Sequence, residues 1–158
     1  MTEIFGSLAP MVKFLHLMAA VLWVGGMIVV RLYLHPVAMR VALKERLAWQ
    51  IPFLGRFFTG VSVAVFLLIL TGVLMAVGMN IKETPLAPIV HLKYTIWLVM
   101  ALIFGVILTR YRRAKAAWEA GEVEETARQL APIAKVLIPI NLILGVIAIF
   151  AGTTLRGF

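Results

Sequence analysis

Phe57-Phe-Thr-Gly-Val-Ser-Val-Ala-Val-Phe-Leu-Leu-Ile-Leu-Thr-Gly-Val-Leu-Met-Ala-Val-Gly-Met-Asn-Ile81 runs from Arg56 to Lys82 without a charged residue. Wound as a helix at about 1.5 Å per residue, the run exceeds the roughly 30 Å hydrocarbon core of a bilayer. Three more uncharged runs follow the same pattern: Phe14–Val30, Tyr94–Thr109 and Val136–Leu155. The first and third are short only when bounded by charges. Ser7-Leu-Ala-Pro10 and Thr84-Pro85 are N-cap and early-proline signals that start both helices sooner. The reading predicts helices near 9–34, 54–79, 85–112 and 132–154. Hydrophobicity is even around each of them, as in membrane helices, and the alternation of barrel strands is missing.

Four crossings use nearly all of the 158 residues, leaving no room for a sizeable soluble domain. Composition agrees: 63% hydrophobic and 14% charged residues, with a mean hydropathy of +1.02, lie far from the balance of a water-soluble domain. The expected fold is a single all-α domain, an integral membrane up-down four-helix bundle. The first run is too long for the apolar region of a signal peptide, and no Ala-x-Ala site follows it. With no cysteine, disulfides, thiolate metal sites, iron–sulfur clusters and cysteine nucleophiles are excluded.

The net charge of +8 invites a nucleic-acid reading until the charges are located. Residues 31–56 carry five basic residues and residues 110–135 carry six, together eleven of the fifteen in the chain. In an up-down bundle these two connections share a face. The positive-inside rule then places them in the cytoplasm and both termini outside, in the cytoplasmic (inner) membrane as a multi-pass protein. The charge is topological, and no nucleic-acid partner is expected, because no basic patch interleaved with aromatics occurs. Val37–Phe53 alternates Arg40, Lys44 and Arg46 with Val41, Leu43, Leu47 and Trp49, as a short amphipathic segment on the inner interface would. Ala114–Gln129 reads as a solvated extension of the third helix or as a turn back before Pro132.

Ionisable groups at membrane depth are costly, so each is a functional candidate. His16 lies six residues after Pro10 and His91 six after Pro85, each about 9 Å inside its helix start. The expectation is a pair of imidazoles at matched depth in the outer half of the bundle, able to hold a metal or cofactor. Two such residues can also serve as interhelical hydrogen-bonding groups. Ala20, Trp23, Met27 and Arg31 share the His16 face. His35, about 28 Å of helix away, belongs with Arg31 at the inner interface. Lys93 points about 160° from His91 and has a second reading as a residue that snorkels to headgroups. Asn141 reads as a helix–helix hydrogen-bond group that could support a cofactor, and Pro139 as the site of a kink.

The chain has no Asp, and its seven Glu lie near the ends or in connections, so a carboxylate relay or Mg²⁺ site in the membrane is not expected. No nucleotide-binding glycine loop occurs. Eight methionines invite a Cu(I) reading, but no Met-x-x-Met series occurs, and core filling accounts for them. What remains suits a haem, whose iron takes imidazole ligands and whose propionates need cations.

The first helix, Lys13-Phe-Leu-His16-Leu-Met-Ala-Ala-Val-Leu-Trp23-Val-Gly25-Gly26, resembles the opening signature of CopD-type copper-resistance membrane proteins. Arg31-Leu-Tyr-Leu-His35 and His91-Leu-Lys93 resemble elements of the HemJ-type protoporphyrinogen oxidases, a related family of small four-helix membrane proteins. Before the fourth span, Lys135-Val-Leu-Ile-Pro139 departs from the Asn-Glu-x-Pro segment of the HemJ branch. The resemblance implies haem b, with His16 as axial ligand and the His91/Lys93 element opposite. It further implies porphyrinogen oxidation coupled to quinone or a respiratory-chain carrier in one branch, and copper transport or resistance in the other. Trp23, Arg31, His35 and Asn141 complete the expected cofactor-binding set. A homo-oligomer is compatible, since four helices bury little area around a large cofactor. A purely structural subunit of a larger complex is the reading that leaves these polar residues unexplained.

Overall fold

A computed structural model describes residues 2–78, 85 and 87–154. Four long apolar helices make up the bundle: α1 Gly6–Ala38, α2 Leu43–Gly78, α3 Ala87–Glu119 and α4 Val123–Thr153. Each is long and apolar enough to cross a bilayer, and only 17–28% of each apolar window is covered by the rest of the chain. Most of the apolar surface therefore faces outward, which water would penalise and lipid does not. Met79, Lys82, Thr84, Leu155 and Arg156, which bound the expected second, third and fourth spans, lie outside the described residues.

The helices run longer than the uncharged stretches. Of Val37–Phe53, expected as a short amphipathic interfacial segment, Val37 and Ala38 end α1 and Leu43–Phe53 is the start of α2, where Leu47, Ile51 and Leu54 turn one buried stripe toward the core. α3 continues to Glu119, turns through Gly121 at φ 80°, and α4 begins at Val123. Both expectations for residues 114–129, extension and turn-back, are partly met. The extension is packed rather than fully solvated, because Ala114 and Ala117 are buried on α3 while Thr126 and Leu130 are buried on α4.

Two of the helices are locally widened. α1 is π-helical over Val21–Gly25 and Val29–Leu34, and α4 over Ile133–Leu137. Pro36 and Pro139 explain the latter two. Each removes the N–H that the carbonyl four residues earlier needs, and a wider turn accommodates the loss. Pro139 thus acts within a helix that continues through it to Thr153.

The middle of the bundle is a dry core around Trp23, Phe58, Val61, Phe104 and Ile107. Trp23 and Phe58 both meet Phe104 edge-on, with centroids 6.1 Å apart in each pair. Gly145 brings α4 close to α1, since a Cβ there would stand 2.7 Å from Val24 Cγ2. Small residues let backbones approach where no hydrophobic drive distinguishes a neighbour helix from lipid. Above this core, toward the starts of α1 and α3, the helices separate.

Candidate functional site

The separation leaves a cavity of about 450 Å³, within the range of small-molecule sites. All four helices line it. α1 contributes His16, Ala20 and Trp23; α2 contributes Leu68, Gly72 and Ala76; α3 contributes Lys93, Tyr94 and Trp97; α4 contributes Gly145, Ala148 and Gly152. The glycines and alanines create the space, and their wall is apolar. The charged groups among the described lining residues are cationic, Lys13 and Lys93.

His16 is held by α2. Its Nδ1 lies 2.8 Å from Thr71 Oγ1, and the Thr71 hydroxyl donates to the Leu67 carbonyl at 2.5 Å. Because the Thr71 proton is committed to that carbonyl, its oxygen accepts from His16, which fixes the proton on Nδ1. The lone pair then resides on Nε2. An imidazole whose Nδ1–H is anchored to a buried oxygen is the usual arrangement behind a metal-ligating histidine. Thr71 is itself only 3% exposed, so water does not compete for the bond.

Lys93 is half-buried and turned into the cavity. A Cβ on Gly152 would stand 3.0 Å from its Nζ, so glycine gives the ammonium its place. Gly152 lies one residue from the end of α4, so the ammonium lines the cavity while reaching toward the outer end of the bundle. Val90, Lys93, Tyr94, Trp97 and Met100 form one stripe of α3, spaced three and four residues apart, and that stripe faces the cavity.

His91 lies off the stripe. It is exposed and does not line the cavity; Thr95, Leu98 and Leu102, which share its face, are exposed as well. The expected His16–His91 pair is therefore not assembled by this structure. Matched depth along two helices left the rotation of α3 open, and two residues of regular helix separate His91 and Lys93 by about 200°. His16, Lys93 and Trp23 are brought together. Arg31 and His35 sit at the opposite end, outside the lining. Asn141 is fully buried one turn below Gly145 and donates from Nδ2 to the Met100 carbonyl at 3.3 Å, which ties α4 to α3 beneath the cavity.

Three participants escape a reading of the sequence. Thr71 is one of several hydroxyl residues in α2, and Thr59 and Ser62 likewise bond the carbonyl four residues back. Nothing in the sequence marks which of them meets His16. Trp97 lines the cavity with a buried Nε1–H that has no acceptor among the described residues, and a buried donor of this kind calls for a partner. Tyr94 reaches the Gly72 carbonyl with its hydroxyl at 3.4 Å, joining α3 to α2 across the cavity rim.

The donor set limits what the cavity can hold. Among the described residues no three His, Cys, Asp or Glu side chains converge. Met75 and Met100 are the thioethers lining the cavity, whereas Met11 is 60% exposed and outside it, and Met79 lies outside the described residues. One imidazole, cations with no acid among the described lining residues, an indole donor and small residues on α1, α2 and α4 suit an anionic, largely apolar group. No family model matches the chain, and neither does any curated protein or solved structure.

Proposed function

We propose that the protein is a membrane b-haem redox protein. The observation that carries the reading is His16, whose Nδ1 lies 2.8 Å from the hydroxyl of buried Thr71 at a cavity lined by all four helices. His16 Nε2 is the proposed axial ligand. Lys93 takes the place expected of His91, either as the second ligand or as the cation that neutralises a propionate. Trp97 Nε1–H is a further donor toward the carboxylates, and Trp23 closes the floor. When bound, the haem supplies one-electron chemistry; the chain supplies ligation, burial and hydrogen bonding.

In this reading the bundle is up-down in the cytoplasmic membrane, with both termini outside and the Arg- and Lys-rich connections inside, as the placement of eleven of fifteen basic residues favours. The cavity then opens in the outer half. The protein accepts electrons from a reduced small molecule, such as a porphyrinogen, and passes them to quinone or another respiratory carrier. The test is the visible spectrum of protein purified in mild detergent. A Soret band with about one haem per chain is expected; its absence after haem supplementation overturns the proposal.

A copper site is the second reading, favoured by Met75 and Met100 facing the same cavity as His16. Stoichiometric Cu(I) binding without a Soret band would select it.

A further inference from the structure

The end of the bundle away from the cavity gathers positive charge, and Glu45 beside Arg46 enters none of the ion pairs among the described residues. Arg31 and His35 come from the last turns of α1, Arg46 from the start of α2 and Lys135 from the π-helical turn of α4. Arg31, His35 and Met39 are spaced four residues apart along one face at the end of α1, and the charges of Arg31, Arg46 and Lys135 lie near enough to act on the His35 ring. Arg46 is tethered there: its Nη1 donates to the Met39 sulfur at 3.1 Å, and the Met39 N–H closes the turn on the His35 carbonyl. Among the described residues, the ion pairs are Lys115–Glu119 and Arg128–Glu125, and neither involves this cluster.

Local backbone structure reinforces the placement. Arg31 lies in the π-helical turn Val29–Leu34 and Lys135 in Ile133–Leu137. Such turns redirect side chains and occur often at functional sites. Like charges brought together from three helices repel one another, so the cluster is complete only with an anion. The surroundings say which kind. Leu32 and Val136, next in the chain to Arg31 and Lys135, are exposed, and cations with uncovered apolar neighbours match a ligand with a charged head on an acyl body.

We propose that Arg31, His35, Arg46 and Lys135 bind the phosphate of an anionic phospholipid headgroup, with its acyl chains along the neighbouring apolar surface. Inorganic phosphate offers the same group without the chains. About 28 Å of helix separates His35 from His16, so the site is independent of what fills the cavity.

The full chain, reconstituted in phosphatidylcholine bilayers with and without phosphatidylglycerol, is extracted in mild detergent and its retained lipid measured by native mass spectrometry. Phosphatidylglycerol is expected to be retained in preference to phosphatidylcholine. Arg31→Gln with Arg46→Gln should lower that preference by about fivefold per charge removed, and exposed Lys135→Gln alone by about fivefold. Arg31→Lys with Arg46→Lys should preserve it, as should Arg112→Gln with Arg113→Gln, which removes charge from α3 outside the cluster. Should the Arg31/Arg46 variant fail to fold, Lys135→Gln and the wild-type preference decide. Equal retention of the two lipids, or equal loss in the Arg112/Arg113 variant, overturns the proposal. Displacement of the lipid by inorganic phosphate overturns the lipid source.

Discussion

Thr71→Val removes one oxygen at constant shape and tests the anchor of His16. The Thr71 hydroxyl accepts from His16 Nδ1 at 2.8 Å and shares its proton between the Leu67 carbonyl at 2.5 Å and the Leu68 carbonyl at 3.4 Å. Losing the second costs little, because a helical carbonyl keeps its backbone partner four residues on. The first is the consequential loss. It strands the imidazole donor away from water, at a cost of about 1–3 kcal/mol, and frees the ring to change tautomer or turn. Partners of this kind behind a ligating histidine are typically worth about 10–100-fold in metal affinity. The assay is a haem titration of the apo-protein, followed by Soret absorbance. Thr71→Val should weaken binding by about 10–100-fold, while Thr71→Ser, which keeps the oxygen, should stay within about threefold of wild type. Wild-type affinity in Thr71→Val would refute the reasoning, as would an equal loss in Thr71→Ser.

Further outcomes follow from the same geometry. His91→Ala should leave haem content unchanged and Lys93→Met should change the oxidised spectrum or lower occupancy, as pigment yields will show; the reverse pattern would return the second position to His91. Asn141→Leu exchanges a buried amide, whose Oδ1 has no partner, for an apolar group of similar size, so detergent melting should register a change within about 1 kcal/mol. A much larger loss would mean that Oδ1 is paired in the membrane. Gly145→Ala puts a methyl 2.7 Å from Val24 Cγ2 and 3.3 Å from Met100 Cε, and overpacking of this kind should lower stability by about 1–3 kcal/mol in the same assay. Unchanged melting would show that α4 approaches α1 less closely.

The four spans were legible because bilayer thickness imposes a length that few other constraints imitate. Their ends were not. The expected limits near 54 and 112 stop short of Leu43 and Glu119, because Lys44, Arg46 and Arg113 lie within α2 and α3, where long basic side chains reach polar surroundings without ending the helix. His16 stood out because an imidazole among apolar residues has few innocuous reasons to be there. The choice between His91 and Lys93 depends on the rotation of α3, and a helix that is apolar all round carries no amphipathic signal to set it. Thr71 was illegible for a related reason: its partner becomes known only when the crossing of α1 and α2 is known.

The central claim is that His16 Nε2 is the group the cavity offers to iron. The most direct measurement is the optical spectrum of His16→Ala after haem supplementation, recorded before and after adding imidazole. The account predicts loss of most haem in the variant and recovery of a wild-type-like spectrum when free imidazole enters the space left by the ring. Full haem retention in His16→Ala, with a spectrum indifferent to imidazole, would contradict it.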